Sequence, residues 1–258
     1  MDIILMYGGR SGEHEISLIS CASVARNISS AHNVKLISVS KKGRWYLEDD
    51  SVLASLKSDP KAVLAVHEDE AKRVHVIPGG GTEGAFICGG TTIKCDAVFS
   101  VMHGTYSEDG TLQGLFEMAG VPYVGCNVLS SAVTMDKDTT KILLKAAGIP
   151  VVPGVCIKRA DIYDSKKYDE LIQKITDDLG YPLFVKPCSA GSSDGANKAE
   201  NRRELNYALM EAFTWDDKVL IEKAVNAREV ECSVTGNSIN ANPENDCTML
   251  KATARAKS

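Results

Sequence analysis

Three stretches of the chain combine residue types and spacings that can do chemistry. The most suggestive is Lys186-Pro187-Cys188-Ser189-Ala190-Gly191-Ser192-Ser193-Asp194-Gly195. Here a lysine closes an apolar run, and small residues and hydroxyls follow it. The lysine offers a point charge, and the loop offers amide and O–H donors without bulk, a combination suited to nucleotide phosphates. No Gly-Lys-Ser/Thr follows the glycines, so this is not a Walker A loop; the competing reading is a surface turn beside an exposed lysine. A second stretch, Gly8-Gly9-Arg10-Ser11-Gly12-Glu13-His14-Glu15, joins an apolar run to a helical one. Amides at such a helix start can hold an anion, with help from Arg10. Glu13 or Glu15 can instead favour an ammonium group, or simply complement the helix dipole. The GxGxxG fingerprint is absent, which weighs against a dinucleotide dehydrogenase. The third stretch, His103-Gly104-Thr105-Tyr106-Ser107-Glu108-Asp109-Gly110, follows another apolar run. A histidine there can hydrogen-bond a substrate or move a proton, or it can simply pack. Glu108-Asp109 reads as the cap of the next helix.

These residues need elements to position them. Ile3 to Tyr7 reads as a buried strand, Leu18, Cys21, Ala22, Ala25 and Ile28 as a helix face, and Val34 to Val39 as a second strand. Strand, Gly-rich turn, helix, strand is the start of a parallel βαβ unit. Residues 48–94 carry turn signals but no clear periodicity. Ala97 to Met102 reads as a strand that ends at His103, at the carboxyl edge where open α/β sheets bind ligands. Leu112, Leu115, Phe116 and Ala119 mark a helix stopped by Gly120. Further on, Asp136 caps a helix through Ala147, and Val151 to Lys158 is extended. Tyr168, Leu171, Ile172, Ile175 and Leu179 then form a helix face stopped by Gly180. Pro182 to Lys186 reads as a strand, Leu205 to Ala212 as a helix, and Lys218 to Glu222 and Glu229 to Thr235 as two more strands. Lys251 to Ser258 reads as solvated or disordered.

Composition narrows the function classes. The chain has 258 residues, 44% hydrophobic and 24% charged, with a net charge of −5, which fits a soluble globular protein of two domains or slightly more. The mixed, slightly acidic charge argues against a nucleic-acid partner. No apolar run is long enough for a membrane span or a secretory leader. The eight cysteines form no CxxC pair, so reduced thiols in a cytoplasmic protein are expected.

In this order and spacing, the three stretches resemble the D-alanine–D-alanine ligase family of the ATP-grasp superfamily. Tyr7 to Leu18, His103 to Gly114, Val121-Pro122-Tyr123-Val124-Gly125, Ser131-Ala132-Val133-Thr134-Met135-Asp136-Lys137, Pro182 to Gly195, Val219 to Lys223 and Arg228 to Glu231 carry the likeness. It spans residues 1–237, with only a loose match over 48–94. The resemblance implies an α/β fold: an N-terminal doubly wound parallel-sheet domain followed by an incomplete ATP-grasp α+β module. The corresponding boundaries are 1–125 for the substrate-side domain, 126–226 for the central subdomain and 227–258 for the start of the C-terminal subdomain. It further implies an enzyme that joins two D-alanines for peptidoglycan precursors. ATP phosphorylates the first carboxylate, and the second amine attacks the acyl phosphate. By motif, Glu13 holds the first D-alanine ammonium and His103 lies near that substrate. Lys137 and Lys186 contact the ATP phosphates, and Ser192 belongs to the glycine-serine loop at the reacting phosphate and the substrate end. Glu222 and Lys223 to Val225 meet adenine, largely through backbone for Val225, and Glu229 binds the ribose hydroxyls.

The likeness also has departures. Members of the family continue well past Ser258, into a part that supplies an arginine, the Asp, Glu and Asn ligands for Mg2+, and a closing loop. Nothing in Asn237 to Ser258 matches those motifs. This chain alone is therefore expected to be a poor ligase. Ser107 stands where the family usually has Gly, and Asp194 where it usually has an apolar residue. Related ligases use D-serine or D-lactate as the second substrate, and members commonly form homodimers. Two other readings remain: a non-catalytic nucleotide- or amino-acid-binding remnant, and a chain that barely folds because the strand Glu229 to Thr235 lacks sheet neighbours.

Overall fold

The first apolar run becomes β1 (Asp2–Gly8), buried from Ile4 onward. In the computed structural model, which describes residues 1–228, 230–233 and 253–256, it leads into α1 (His14–Asn27), β2 (Asn33–Val39), β3 (Trp45–Leu47) and α2 (Asp50–Ser58). Next come β4 (Val74–Val76), the one-turn α3 (Gly81–Gly84), β5 (Phe86–Cys88) and β6 (Thr91–Ile93). After them are β7 (Ala97–Ser100), α4 (Thr111–Ala119) and β8 (Tyr123–Val124). The main sheet has the order β3-β2-β1-β7-β8. β1 is parallel to β2 and β7, and β7 to β8, as the strand–turn–helix pattern predicts. β3 runs antiparallel to β2, so the parallel sheet carries one antiparallel edge.

Alternation along the strands divides the core in two. Ile4, Met6, Ile37 and Val39 pack with Phe86, Leu112 and Phe116, beneath α4 and the small β4-β5-β6 sheet. Leu5, Tyr7 and Leu36 pack with Cys21, Ala25 and Leu56 of α1 and α2. Burial on both faces explains why the strands read as unbroken apolar runs. α4 stops at Gly120, whose φ of 73° is left-handed, as its C-terminal position predicts.

From residue 126 the chain forms α5 (Val128–Met135), α6 (Lys137–Ala146), β9 (Gly154–Lys158), α7 (Ser165–Leu179), β10 (Leu183–Pro187), β11 (Asn197–Ala199), α8 (Arg202–Trp215) and β12 (Lys218–Lys223). Four of its strands form an antiparallel sheet in the order β11-β10-β12-β9. On one face Val185, Val219 and Ile221 meet Ile172, Ile175, Leu205 and Leu209 of α7 and α8. Lys186, Leu220 and Cys156 are register partners and so share the opposite face, with Glu222 two residues along. That second face is free to carry polar chemistry.

Contacts divide the chain into two compact units, Met1–Lys223 and Ala224–Ser258. In the second, β13 (Val230–Ser233) pairs antiparallel with β14 (Thr253–Ala256). The strand expected over 229–235 is thus present at its centre; Glu229, Val234 and Thr235 lie outside the described residues. Four of the residues expected to be solvated form β14 instead, because β13 supplies a hydrogen-bonding edge that no sequence period could announce. Among the described residues no helix is long and apolar enough to cross a membrane. Cys21, Cys88, Cys95, Cys126, Cys156 and Cys188 form no disulfide.

Asp136 joins α5 to α6. Its carboxylate accepts the Thr139 N–H at 2.8 Å, the expected N-cap, and the Lys218 ammonium at 2.9 Å. Asp138 takes the same ammonium at 3.0 Å. Burial pushes the Asp136 carboxyl up, but the Thr139 N–H and the Lys218 charge outweigh it and hold the group below its ordinary value. A carboxyl with a depressed folded value stabilises the fold above its unfolded value, about 3.9, and loses that contribution as the pH falls through the folded value. Urea midpoints are therefore expected to drop below about pH 4, with a shallower drop in Asp136→Asn. Parallel curves for the two proteins between neutral and acid pH would show that Asp136 contributes nothing to the acid limb.

Candidate functional site

At the carboxyl edge of the main sheet, the turn after β1 is tied to the turn after β7 by Ser11. Its hydroxyl donates to the His103 carbonyl at 2.6 Å and accepts the Glu13 N–H at 3.2 Å. His103 is half-buried, with Nε2 3.2 Å from Ser20 Oγ on α1 and Nδ1 3.9 Å from Glu108 Oε1. Neither of the two acids expected to cap α4 is its N-cap, which is Gly110; Asp109, one residue earlier, accepts the Thr111 N–H at 3.0 Å. Glu108 turns back and accepts the Gly104 N–H at 2.8 Å, because the left-handed Gly104 and Tyr106 reverse the chain. Glu15 pairs with Lys41 at 2.8 Å, and Arg10 stacks over Tyr106 at 4.2 Å. Of the two glutamates in this turn, that leaves Glu13 to face a third loop, the one between β10 and β11.

This third loop donates the Ser192 hydroxyl to the Glu13 carboxylate. The approach is close enough that a side chain at either of two glycines would displace the Glu13 carboxylate. A Cβ on Gly104 would lie 2.6 Å from Glu13 Oε2, and one on Gly191 would lie 2.8 Å from it. Ser192 and Ser193 hold φ values of 47° and 63°, a left-handed pair that costs energy in residues with a Cβ. Asp194 turns toward the same region: a Cβ on Gly12 would come within 2.8 Å of its Oδ2.

The other end of the loop meets α6. Lys137 opens that helix, and its ammonium donates to the Ala190 carbonyl at 2.5 Å and the Cys188 carbonyl at 3.3 Å. Its backbone N–H also bonds the Cys188 carbonyl, at 3.1 Å. Burial lowers the Lys137 pKa, and the charge on Lys186 lowers it further. Across the sheet face, the buried Glu222 carboxylate accepts from Lys186 at 2.5 Å and from Lys141. Burial pushes this carboxyl up, yet the two ammonium groups outweigh burial and keep it below its ordinary value. Three ammonium groups against one carboxylate leave an excess of positive charge. An anion placed between Lys137 and Lys186 would relieve the repulsion and desolvation that depress Lys137, so these residues fit a nucleotide's phosphates.

Six residues predicted as functional thus fall into two groups on one loop. Glu13, His103 and Ser192 converge at the carboxyl edge of the main sheet, and Lys137, Lys186 and Glu222 gather on the second sheet. Lys223 is exposed at the end of β12. Val225 belongs to the second unit, and Glu229 lies outside the described residues. Sequence reasoning missed Ser11, Ser20 and Lys141. Lys141 could have been found from its i+4 spacing to Lys137, which puts both amines on one face of α6. The two serines leave no such signal. Among the described residues no group of three or more His, Cys, Asp or Glu side chains could hold a metal ion.

The chain is similar to known families and proteins along most of its length. The family described as D-ala D-ala ligase N-terminus matches residues 2–126, and D-ala D-ala ligase C-terminus matches residues 143–251. The D-alanine–D-alanine ligase of Treponema denticola is 50% identical over 238 residues, which are 92% of this chain and 65% of that protein. That of Treponema pallidum is 47% identical over 91% of this chain and 59% of its own length. The chain therefore spans less than two thirds of these curated relatives. Among solved structures, the D-alanine–D-alanine ligase of Coxiella burnetii superposes with a TM-score of 0.77 at 33% identity, covering 92% of this chain and 67% of that one. The VanG D-Ala:D-Ser ligase of Enterococcus faecalis gives 0.75 at 37% identity, covering 91% and 66%. Matching families along almost the whole sequence, and matching folds at this identity, place the chain in the D-alanine–D-alanine ligase family.

Proposed function

We propose that this chain carries the first amino-acid site and much of the nucleotide site of an ATP-dependent ligase. The enzyme joins two D-alanines for peptidoglycan precursors through an acyl phosphate. The observation that carries this reading is the single loop from Cys188 to Gly195. One end of it is held by the Lys137 ammonium, and its middle meets the Glu13 carboxylate through Ser192. A phosphate-binding end and an ammonium-binding end are thereby set side by side. In this reading residues 1–125 form the substrate-side domain, 126–226 the central nucleotide subdomain and 227–258 the start of a third. VanG is named for D-Ala and D-Ser, which supports D-serine as an alternative second substrate; D-lactate is a further alternative that the resemblance alone implies.

Each residue has a physical task. Glu13 offers a carboxylate to the ammonium of the first D-alanine, and the Ser192 hydroxyl fixes its orientation. His103, held between Ser20 and Glu108, borders that amino acid. Lys137 and Lys186 neutralise phosphate charge; Glu222 aligns Lys186 and faces the nucleotide base. Bound ATP supplies the phosphoryl group that activates the first carboxylate, and Mg2+ offsets charge on the phosphates. Residues 1–228 offer no metal cluster, so the reading assigns the magnesium ligands elsewhere.

Lys137→Met and Lys186→Met are each expected to weaken ATP binding about tenfold or more, as loss of a charge-assisted contact does. Because the Lys137 pKa is depressed, wild-type affinity should also fall at a lower pH than an ordinary lysine, at about 10.4, would require. Calorimetric titrations giving unchanged affinity in both variants would sink the nucleotide assignment. Asp194 turns its charge toward the Gly12 turn and this loop, so Asp194→Val should tighten ATP binding; an unchanged value would mean its charge is screened. With ATP, Mg2+ and D-alanine, the 258-residue chain should bind nucleotide but show little D-alanine-dependent ADP release, since lost electrostatic stabilisation costs about 10²-fold or more. Normal turnover would show that the chain holds metal ligands of its own.

A further inference from the structure

Lys141 is a third ammonium group beside the proposed nucleotide site, and so far it has no task. It lies one turn after Lys137 on α6, so the two amines leave the same helix face. Its ammonium pairs with Glu222 Oε1, while the Lys186 ammonium, carried by β10, lies 2.5 Å from Oε2. One buried carboxylate is therefore shared between two cations on different elements. A ligand does not reach the three side chains equally: Lys186 is 28% exposed, Lys141 13% and Glu222 9%. Lys186 is also near enough to Lys137 for their charges to repel. Of the two cations on Glu222, Lys186 is thus the one open to a phosphate, and Lys141 the one largely shut away from it.

That asymmetry bears on what phosphate binding demands. When Lys186 turns from Glu222 toward a phosphate, the buried carboxylate loses one of its two counter-charges. A carboxylate at this depth with no cation beside it would be strongly disfavoured; with Lys141 in place it keeps one. Burial pushes the Glu222 carboxyl up, and its hydrogen bond to Lys141 is foremost among the contacts that bring it back below its ordinary value. Departure of Lys186 also uncovers Oε2 as an acceptor for an N–H group of the base, so phosphates and base reinforce one another. Resting on the nucleotide reading above, we propose that Lys141 is a positioning residue: it gives Glu222 a permanent counter-charge, which frees Lys186 to move to the ATP phosphates. Lys141 itself touches neither phosphate nor base.

Calorimetric titration of the full 258-residue chain with ATP tests this. Lys141→Met is expected to weaken binding about tenfold, although the residue meets no phosphate. Lys141→Arg, which keeps the charge, should recover most of that loss. In a Glu222→Gln background, Lys141→Met should cost little, because a neutral amide needs no counter-ion and Lys186 is already free. An undiminished loss in that background overturns the proposal, since Lys141 would then act on ATP directly through its charge. Unchanged affinity in Lys141→Met beside a weakened Lys186→Met overturns it too and leaves the nucleotide reading standing. Unchanged affinity in Lys186→Met is equally fatal to it, and the nucleotide reading falls only if Lys137→Met is unchanged as well. Amine labelling of the wild-type chain decides the matter if Lys141→Met fails to fold. Acetic anhydride and peptide mass spectrometry, with and without tripolyphosphate, compare the two lysines. Tripolyphosphate should protect Lys186 severalfold and leave the rate at Lys141 unchanged. Equal protection of both would make Lys141 a phosphate ligand, and no protection of Lys186 would leave that amine on Glu222; either result overturns the proposal.

Discussion

The contact between the Ser192 hydroxyl and the Glu13 carboxylate spans 179 positions of sequence, and the geometry of the site is organised around it. For the two groups to meet, the loop between β10 and β11 must lie against the turn after β1. A side chain at 104 or 191 would push the Glu13 carboxylate out of its place, and glycine at both positions leaves it there. The same crossing demands left-handed backbone at Ser192 and Ser193, where glycine would be the easier choice. Serine at position 192 is understandable because a glycine has no hydroxyl to offer Glu13. Strain is accepted where it places a functional group.

Charge placement on the second sheet follows from a similar constraint. A carboxylate as buried as Glu222 is tolerable only with partners, and Lys141 and Lys186 supply them from α6 and β10. Asp136 and Asp138 serve Lys218 in the same manner at the start of α6. Lys137 is the exception. Its ammonium meets two carbonyls, and neither the Asp136 nor the Asp216 charge restores its pKa against burial and Lys186. A cation kept partly desolvated without a paired carboxylate is poised to gain from an incoming anion, more than a solvated surface lysine would.

Local signals made much of this legible. β1, α1 and β2 follow from apolar runs and a Gly-rich turn, Gly120 marks the end of α4, and Asp136 caps α6 through its own side chain. The recognisable motifs named Glu13, His103, Ser192, Lys137, Lys186 and Glu222 one by one, and the fold gathers the first three at one sheet edge and the other three on the second sheet. What stayed hidden is set by distant partners. β4, β5 and β6 have three residues each, too few for a period to register, and exist because they pair with one another over the α4 side of the sheet. β3 and β11 are edge strands whose direction is decided by β2 and β10. Ser11 and Ser20 act on His103 across 92 and 83 positions, and a lone serine carries no hint of such a partner.

The loop from Cys188 to Gly195 also imposes a polarity. Its start is surrounded by ammonium groups and its middle touches a carboxylate, so a ligand lying along it is oriented by charge before shape matters. On the proposed reading, an amino acid whose ammonium faces Glu13 must turn its carboxylate away from that glutamate, and the cationic end of the loop lies on the phosphate side. Repulsion from Glu13 and attraction to the lysines act in the same sense. Orientation then comes from fixed charges already present in the folded chain, with little reorganisation left to the reaction itself. Asp194 works against this gradient by adding a negative charge near the loop's far end, and nothing in the structure explains that substitution.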